Sequence, residues 1–253
     1  MASMRYFVII TAGGSGQRMQ SGLPKQFHIL ERRSFDSSEN VLNVESKPIL
    51  LRTIERFLSI KQQVELILVL PQKWIPTWRD YYLKNNMEFP HTIVEGGLSR
   101  FHSVRGALEK VPEGAVVAVH DAVRPFASKA LIEKMLSRDF SGEYAGAIPY
   151  ISAYDSMREV ERDSDGKIIA SRSIKREKLV MVQTPQVFNS TILKEAYKRP
   201  YSVDFTDDAS VVEAAGYKVE LVEGEKLNFK ITTPEDKQAA QLIMNGLSFS
   251  SEL

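Results

Sequence analysis

RYFVII, residues 5–10, runs directly into TAGGSGQRMQSGLPKQF, residues 11–27. A short continuous apolar run reads as a strand covered on both faces, and the glycines behind it read as a tight turn. Gly13, Gly14 and Gly16 let the backbone turn closely and expose its amides, while Arg18 and Lys25 add two fixed positive charges. That combination suits a triphosphate. A Walker A loop is excluded, because Leu23 and Pro24 separate Gly22 from Lys25. A dinucleotide fingerprint is excluded as well: Met19 stands where a third glycine is needed, and the second strand ends in Leu70 and Pro71 rather than in an acid. What remains is a strand-to-loop transition at the carboxyl edge of a parallel sheet, where α/β folds place their ligands.

Working outward, β-rich apolar runs (VELILVL, HTIVEG, AVVAVH, YAGAIPY, LVMVQT, YKVELVEG and NFKIT) alternate with stretches of helical spacing. The latter include PILLRTIERFL, SRFHSVRGALEKV, SKALIEKMLSR, NSTILKEAY, DDASVVEAAG and PEDKQAAQLIM. This is the pattern of an α/β fold with a mostly parallel sheet. Two segments break it. Residues 31–47 are polar and aperiodic and read as a surface loop. Residues 153–176 read as a hairpin, with two polar β-compatible runs flanking Asp163, Ser164, Asp165 and Gly166. Such a hairpin has no core of its own, so it is expected to project and to find support on a second subunit.

Composition narrows the function classes. At 253 residues, 43% hydrophobic and 26% charged, and without a linker rich in Pro, Gly or Ser, the chain is expected to form a single domain over 1–253. Thirty-three basic against thirty-two acidic residues leave no global field for nucleic acid. Cysteine is absent, which removes disulfides, thiolate metal sites and cysteine nucleophiles together. No run reaches transmembrane length, and FVII is too short for an export signal, so no membrane partner and a cytoplasmic location are expected.

AGGSGQRM with PKQF resembles the signature of the sugar-nucleotide-type cytidylyltransferases, specifically the 2-C-methyl-D-erythritol 4-phosphate cytidylyltransferase family of the non-mevalonate isoprenoid pathway. Further blocks follow in the family's order: GG at 96–97 with Arg100 and Ser103, VHDAVRP at 119–125, DSM at 155–157, TPQVF at 184–188, TDDAS at 206–210 and NFKITTPED at 228–236. The resemblance implies an α/β, Rossmann-like nucleotidyltransferase domain. From it a projecting β-hairpin arm, 153–176, would make a homodimer.

Roles implied by the resemblance fall block by block. The backbone of Thr11, Ala12, Gly13, Gly14 and Gly16 would wrap CTP, with Arg18 and Lys25 on its phosphates. Gly97 and Ser103 would read the cytosine edge, and Asp121 would lie near ribose, acceptor and Mg²⁺, the metal resting mainly on the CTP phosphates. Arg124, Thr184, Thr206 and Lys230 would line the acceptor, a polyol phosphate, or the reacting phosphate; Ser156 and Arg176 would reach it from the arm of the partner subunit. Lys230, a lone lysine in the apolar run NFKIT, belongs either on an exposed strand face or beside a buried anion.

The sequence departs from the family's usual pattern at Thr11 and Gly13, at Leu98, where a polar residue is common, at Ser156, usually threonine, and in a longer segment near 31–43. Ribitol-5-phosphate cytidylyltransferases share almost every block, so acceptor choice stays open at this point. Asp163, Ser164 and Asp165 also form the DxD of metal-dependent glycosyltransferases, but turn chemistry accounts for them. An inactive nucleotide-binding module is disfavoured by the intact Arg18 and Lys25.

Overall fold

The computed structural model describes residues 4–13, 22–36, 41–140 and 142–246. Strand β1 (Tyr6–Thr11) lies in the middle of the sheet, between β4 (Val64–Leu70) and β6 (Val116–Asp121), parallel to both. Beyond β4 the parallel order continues with β5 (His91–Glu95). On the other side β11 (Gln186–Asn189) runs antiparallel to β6 and to β7 (Tyr144–Ser152). Strand β7 also carries β12 (Lys218–Glu223), parallel, and β10 (Val180–Val182), antiparallel. The sheet is therefore mostly parallel, as the alternating sequence pattern predicts.

Burial alternates along the strands because successive side chains point to opposite faces. Val8 and Ile10 of β1, with Leu66 and Leu68 of β4, pack on one side with α1 (Ile49–Leu58), Trp78 of α2 (Ile75–Lys84), and α4 (Lys129–Leu136). Phe7 and Ile9, with Ile67 and Val69, face α3 (Arg100–Leu108), α5 (Ser190–Ala196) and α6 (Asp208–Ala214). A smaller cluster joins Leu30, Ile49, Val123, Phe126 and Ile231 to Ala240 and Met244 of α7 (Pro234–Gly246). No helix among the described residues is long and apolar enough to cross a membrane.

Two sequence expectations need correction, and one helix was not expected. Within the stretch 31–47 expected to be a loop, residues 31–36 and 41–47 are strand: β2 (Ile29–Asp36) and β3 (Val41–Pro48) pair antiparallel from Ile29↔Pro48 to Asp36↔Val41. Backbone pairing and side-chain ties replace apolar periodicity here, which is why the pattern was silent. Buried Arg52 of α1 donates to the carbonyls of Leu30 and Glu45 and to the Glu45 carboxylate, and Gln241 of α7 pairs with both backbone groups of Glu31. NFKIT is not a strand; it is an irregular segment anchored by buried Asn228 and Ile231. Helix α2 is not among the helical stretches read from the sequence: Ile75, Trp78, Tyr81 and Tyr82 recur at helical spacing and pack on the core, but only Trp78 is fully buried and Pro76 interrupts the run.

The hairpin expected over 153–176 is present as β8 (Met157–Arg162) and β9 (Ile168–Ile174), which pair with each other in a sheet of their own. At its tip Gly166 has φ +82°, and Asp163 Oδ1 accepts from the amides of Asp165 and Lys167. The DxD is thus turn chemistry, with Asp163 committed to the backbone.

Candidate active site

Strands β1, β4, β5 and β6 end together at their carboxyl edge, and a cavity of ≈ 220 Å³ opens there. Its walls are Thr11, Ala12 and Gly13 at the end of β1, Lys25 and Gln26, the turn from Gly97 to Arg100 with Ser103, Asp121 to Val123 at the end of β6, and Lys230. The post-β1 loop is tied to the floor: buried Gln26 Nε2 donates to the Ala12 carbonyl at 2.6 Å, and the Ala12 amide donates to the Val69 carbonyl at 2.9 Å. Lys25 is consequently carried to the cavity by a 3₁₀ turn, Lys25–Phe27, whose next side chain is locked inside.

The opposite wall depends on a missing side chain. A Cβ on Gly97 would lie 2.6 Å from His102 Cβ, so only glycine lets the chain pass so close to α3. The Gly97 amide donates to Ser103 Oγ at 3.1 Å, and that hydroxyl donates to the Ser99 carbonyl at 2.9 Å. Ser103 is therefore the fourth residue of α3 rather than its cap; the cap is Ser99. Leu98, 99% exposed, stands clear of the apolar core at the cavity rim.

Asp121 is the electrostatic centre. It is buried at the end of β6, and its Oδ2 receives Lys230 Nζ at 3.1 Å and Arg124 Nε at 3.1 Å. Burial would raise its pKa, but the positive charges of Lys230, Arg100 and Arg124 outweigh burial and hold the carboxyl well below the usual carboxylate range. Arg124 is fixed further by NH1, which donates to the Asn228 carbonyl at 2.7 Å.

Beside it His120 is fully buried, and its pKa is pushed down to about 4, chiefly by desolvation. Its hydrogen bonds form a directed chain: the Asp121 amide donates to Thr184 Oγ1, Thr184 to His120 Nδ1, and His120 Nε2 to the Arg124 carbonyl. Thr184 is thereby engaged on the floor of the site, with its hydroxyl committed to protein partners.

Thr206, Ser156 and Arg176, also expected at the site, are not among the residues that line the cavity. Thr206 is exposed, one residue before the Asp207 cap of α6. Ser156 is exposed immediately before β8, and Arg176, exposed just after β9, donates to the Tyr154 carbonyl of its own chain. Gly14, Gly16 and Arg18 lie outside the described residues. For a metal, no group of three or more His, Asp or Glu side chains converges among the described residues. Among the described residues, Asp121 alone offers a hard, ionised oxygen donor at the cavity, which fits a Mg²⁺ ion that keeps its waters and binds mostly to substrate phosphates.

The family model described as IspD: 2-C-methyl-D-erythritol 4-phosphate cytidylyltransferase matches residues 6–246, spanning every wall of this cavity. The chain belongs to that family. It is 38% identical over 236 residues to the 2-C-methyl-D-erythritol 4-phosphate cytidylyltransferase of Bacteroides fragilis, covering 93% of this chain and 98% of that protein. To the enzyme so named from Phocaeicola vulgatus it is 39% identical over 247 residues, covering 95% and 100%. Among solved structures, 4-diphosphocytidyl-2C-methyl-D-erythritol synthase from Anaerococcus prevotii matches with TM-score 0.71 at 25% identity, over 95% of this chain and 96% of that one. The 2-C-methyl-D-erythritol 4-phosphate cytidylyltransferase from Thermus thermophilus matches with TM-score 0.66 at 28% identity, over 95% and 99%.

Within this cytidylyltransferase-family site, sequence reading missed the groups that hold the lining residues in place. Gln26 had a signal, a polar residue in PKQF next to an apolar one, but nothing local says that it turns inward. Asp208 lay inside the TDDAS block but Tyr197 had no signal, and neither could be matched to Arg100, which comes from a distant helix.

Proposed function

We propose that this chain transfers CMP from CTP to 2-C-methyl-D-erythritol 4-phosphate, releasing pyrophosphate. The observation that carries the reading is Lys25 and Lys230 on one cavity with the ionised Asp121, at the carboxyl edge of a parallel sheet in a chain of this family. An oxygen of the acceptor phosphate attacks the α-phosphorus of CTP in line, that P–O bond forms, and the bond from the α-phosphorus to the bridging oxygen of pyrophosphate breaks. The nucleophile arrives already ionised, so the protein supplies no general base. Its work is positioning and charge stabilisation.

Each group then has a task. The backbone of Thr11, Ala12 and Gly13 follows the nucleotide, and Gly14 and Gly16 are assigned to the same task from the sequence. Gly97 and Ser103 form the wall against the cytosine and leave no room for a purine. Arg18 and Lys25 take the β- and γ-phosphates, and Lys230 meets the charge that builds on the α-phosphorus. Asp121 holds Lys230 and Arg124 in place and, among the described residues, would be the protein ligand to Mg²⁺, which would supply positive charge against the departing pyrophosphate. Arg124 and Thr206 face the acceptor side, Thr184 braces Asp121 from below, and Ser156 and Arg176 on the hairpin arm reach the acceptor phosphate of a partner subunit in a homodimer.

Pyrophosphate release measured with CTP and 2-C-methyl-D-erythritol 4-phosphate tests the reaction, with ribitol 5-phosphate and ATP as separate arms. Turnover with CTP and the methylerythritol phosphate is expected. Faster turnover with ribitol 5-phosphate reassigns the acceptor, and no turnover with either acceptor removes the enzymatic reading.

A further inference from the structure

Asp208 is completely buried. Three donors converge on its carboxylate: the terminal nitrogens of Arg100 at 2.9 and 2.5 Å, and the Tyr197 hydroxyl at 2.6 Å. Burial and the neighbouring carboxylate push the Tyr197 phenol well above its ordinary range, which keeps it a donor. The Arg100 guanidinium is raised too; burial acts against it, and Asp208 outweighs burial. Apolar replacements of such buried pairs are often as stable as the pair itself, so stability is a weak reason for this clamp.

Its location supplies a stronger one. Arg100 opens α3 and lines the cavity beside Gly97, with its side chain 30% exposed, while Asp208 opens α6, two residues after Thr206. The start of α6 is itself anchored to β11: Gln186 Oε1 accepts from the amides of Asp208 and Ala209, and Gln186 Nε2 donates to Asp207. A guanidinium carries five N–H donors in one rigid plane, so fixing two of them fixes the direction of the rest.

We propose that Asp208 is a positioning residue for the nucleotide: with Tyr197 behind it, it grips the Arg100 fork from the buried side and aims the remaining guanidinium donors at an anionic oxygen of bound CTP. The inference rests on the reading of this cavity as a CTP site. It also ties the nucleotide wall to the start of α6, just after Thr206, so both substrates' surroundings share one rigid joint.

Calorimetric binding of CTP without acceptor, alongside steady-state kinetics and urea unfolding, tests the clamp. Asp208→Asn is expected to weaken CTP binding and raise its KM by about tenfold, the scale of a lost charge-assisted hydrogen bond, with kcat at saturation within about threefold of the parent. Tyr197→Phe keeps both charges and should shift CTP affinity in the same direction by less. The pair Arg100→Met with Asp208→Leu removes both charges; unfolding resistance returns while CTP binding stays weak. A double variant that regains CTP affinity together with stability overturns the proposal, as do single variants that bind CTP like the parent. A parent chain that fails to bind CTP overturns the site reading, and this inference falls with it.

Discussion

The Lys230 ammonium lies 3.1 Å from the carboxylate oxygen Oδ2 of Asp121, on the oxygen that Arg124 also contacts. A buried carboxylate at a strand end thus aims a lysine from an irregular segment into the cavity. Replacing Lys230 or Lys25 with alanine should lower kcat about a hundredfold or more, roughly 2.7–4 kcal/mol by analogy with losing one oxyanion donor. Pyrophosphate-release kinetics on folded variants check it, and near-normal turnover would remove that lysine from the mechanism. Lys25→Arg should not restore full activity, since a planar fork does not replace a compact ammonium.

Stability should fall on acidification through His120. Its ordinary value is 6.5 and burial holds it at about 4, against the attraction of Asp121 and with Arg124 and Lys230 helping to keep it neutral. Between these values the unfolded chain binds a proton that the folded chain refuses. The stabilisation is complete above the ordinary value and is lost as pH falls toward about 4, an effect on the order of 3 kcal/mol. Urea unfolding at pH 7.5 and 4.5 measures it, and His120→Gln should flatten the slope. An unchanged slope in that variant would assign the acid sensitivity to other groups.

The hairpin of β2 and β3 should be separable into a needed base and a dispensable end. Replacing residues 34–43 with a two-residue turn keeps every pair from Ile29↔Pro48 to Arg33↔Val44, so CTP turnover should stay within about twofold of the parent. Arg52→Ala instead strips buried carbonyls of their donor and should cost about 3 kcal/mol in unfolding free energy. A large loss of turnover in the shortened, folded chain would make the end of the hairpin part of the active site.

Subunit exchange tests the shared site. Lys25→Ala and Arg176→Ala are each expected to be inactive; random pairing of equal amounts gives about half mixed dimers, each with one intact and one doubly broken site. Activity should return to about a quarter of the parent if Arg176 acts across the dimer. Verified mixed dimers that remain inactive would confine Arg176 to its own chain, where its contact with the Tyr154 carbonyl already lies.

The central strands were legible from the sequence because a strand covered on both faces needs a continuous apolar run, and RYFVIIT, VELILVL and AVVAVH supply it. The hairpin of β8 and β9 was legible for a different reason: Asp163 to Gly166 is local turn chemistry, and the turn forms where it is written. The Gly97 turn was readable as a cavity element because it directly follows the end of β5, and Lys25 because it closes the glycine-rich stretch that begins at the end of β1. The pair β2 and β3 was not readable, since a backbone ladder and the contacts of Arg52 and Gln241 leave no period in the sequence, and the short stripe of α2, Ile75, Trp78, Tyr81 and Tyr82, is broken by Pro76.

The sequence alone therefore determined where the sheet's carboxyl edge would lie and which charged residues stand near it. Only the tertiary structure decided what each charge faces. Lys230 had two possible fates, an exposed strand face or a buried anion, and folding put it on Asp121. Arg100 was a motif residue until α6 brought Asp208 against it, and His120 was a strand-end residue until Thr184 and the Arg124 carbonyl took both of its nitrogens. The reason is physical: periodicity and turn chemistry act over a few residues, whereas the ionisation and aim of a buried side chain depend on burial and on charges that arrive from distant parts of the chain.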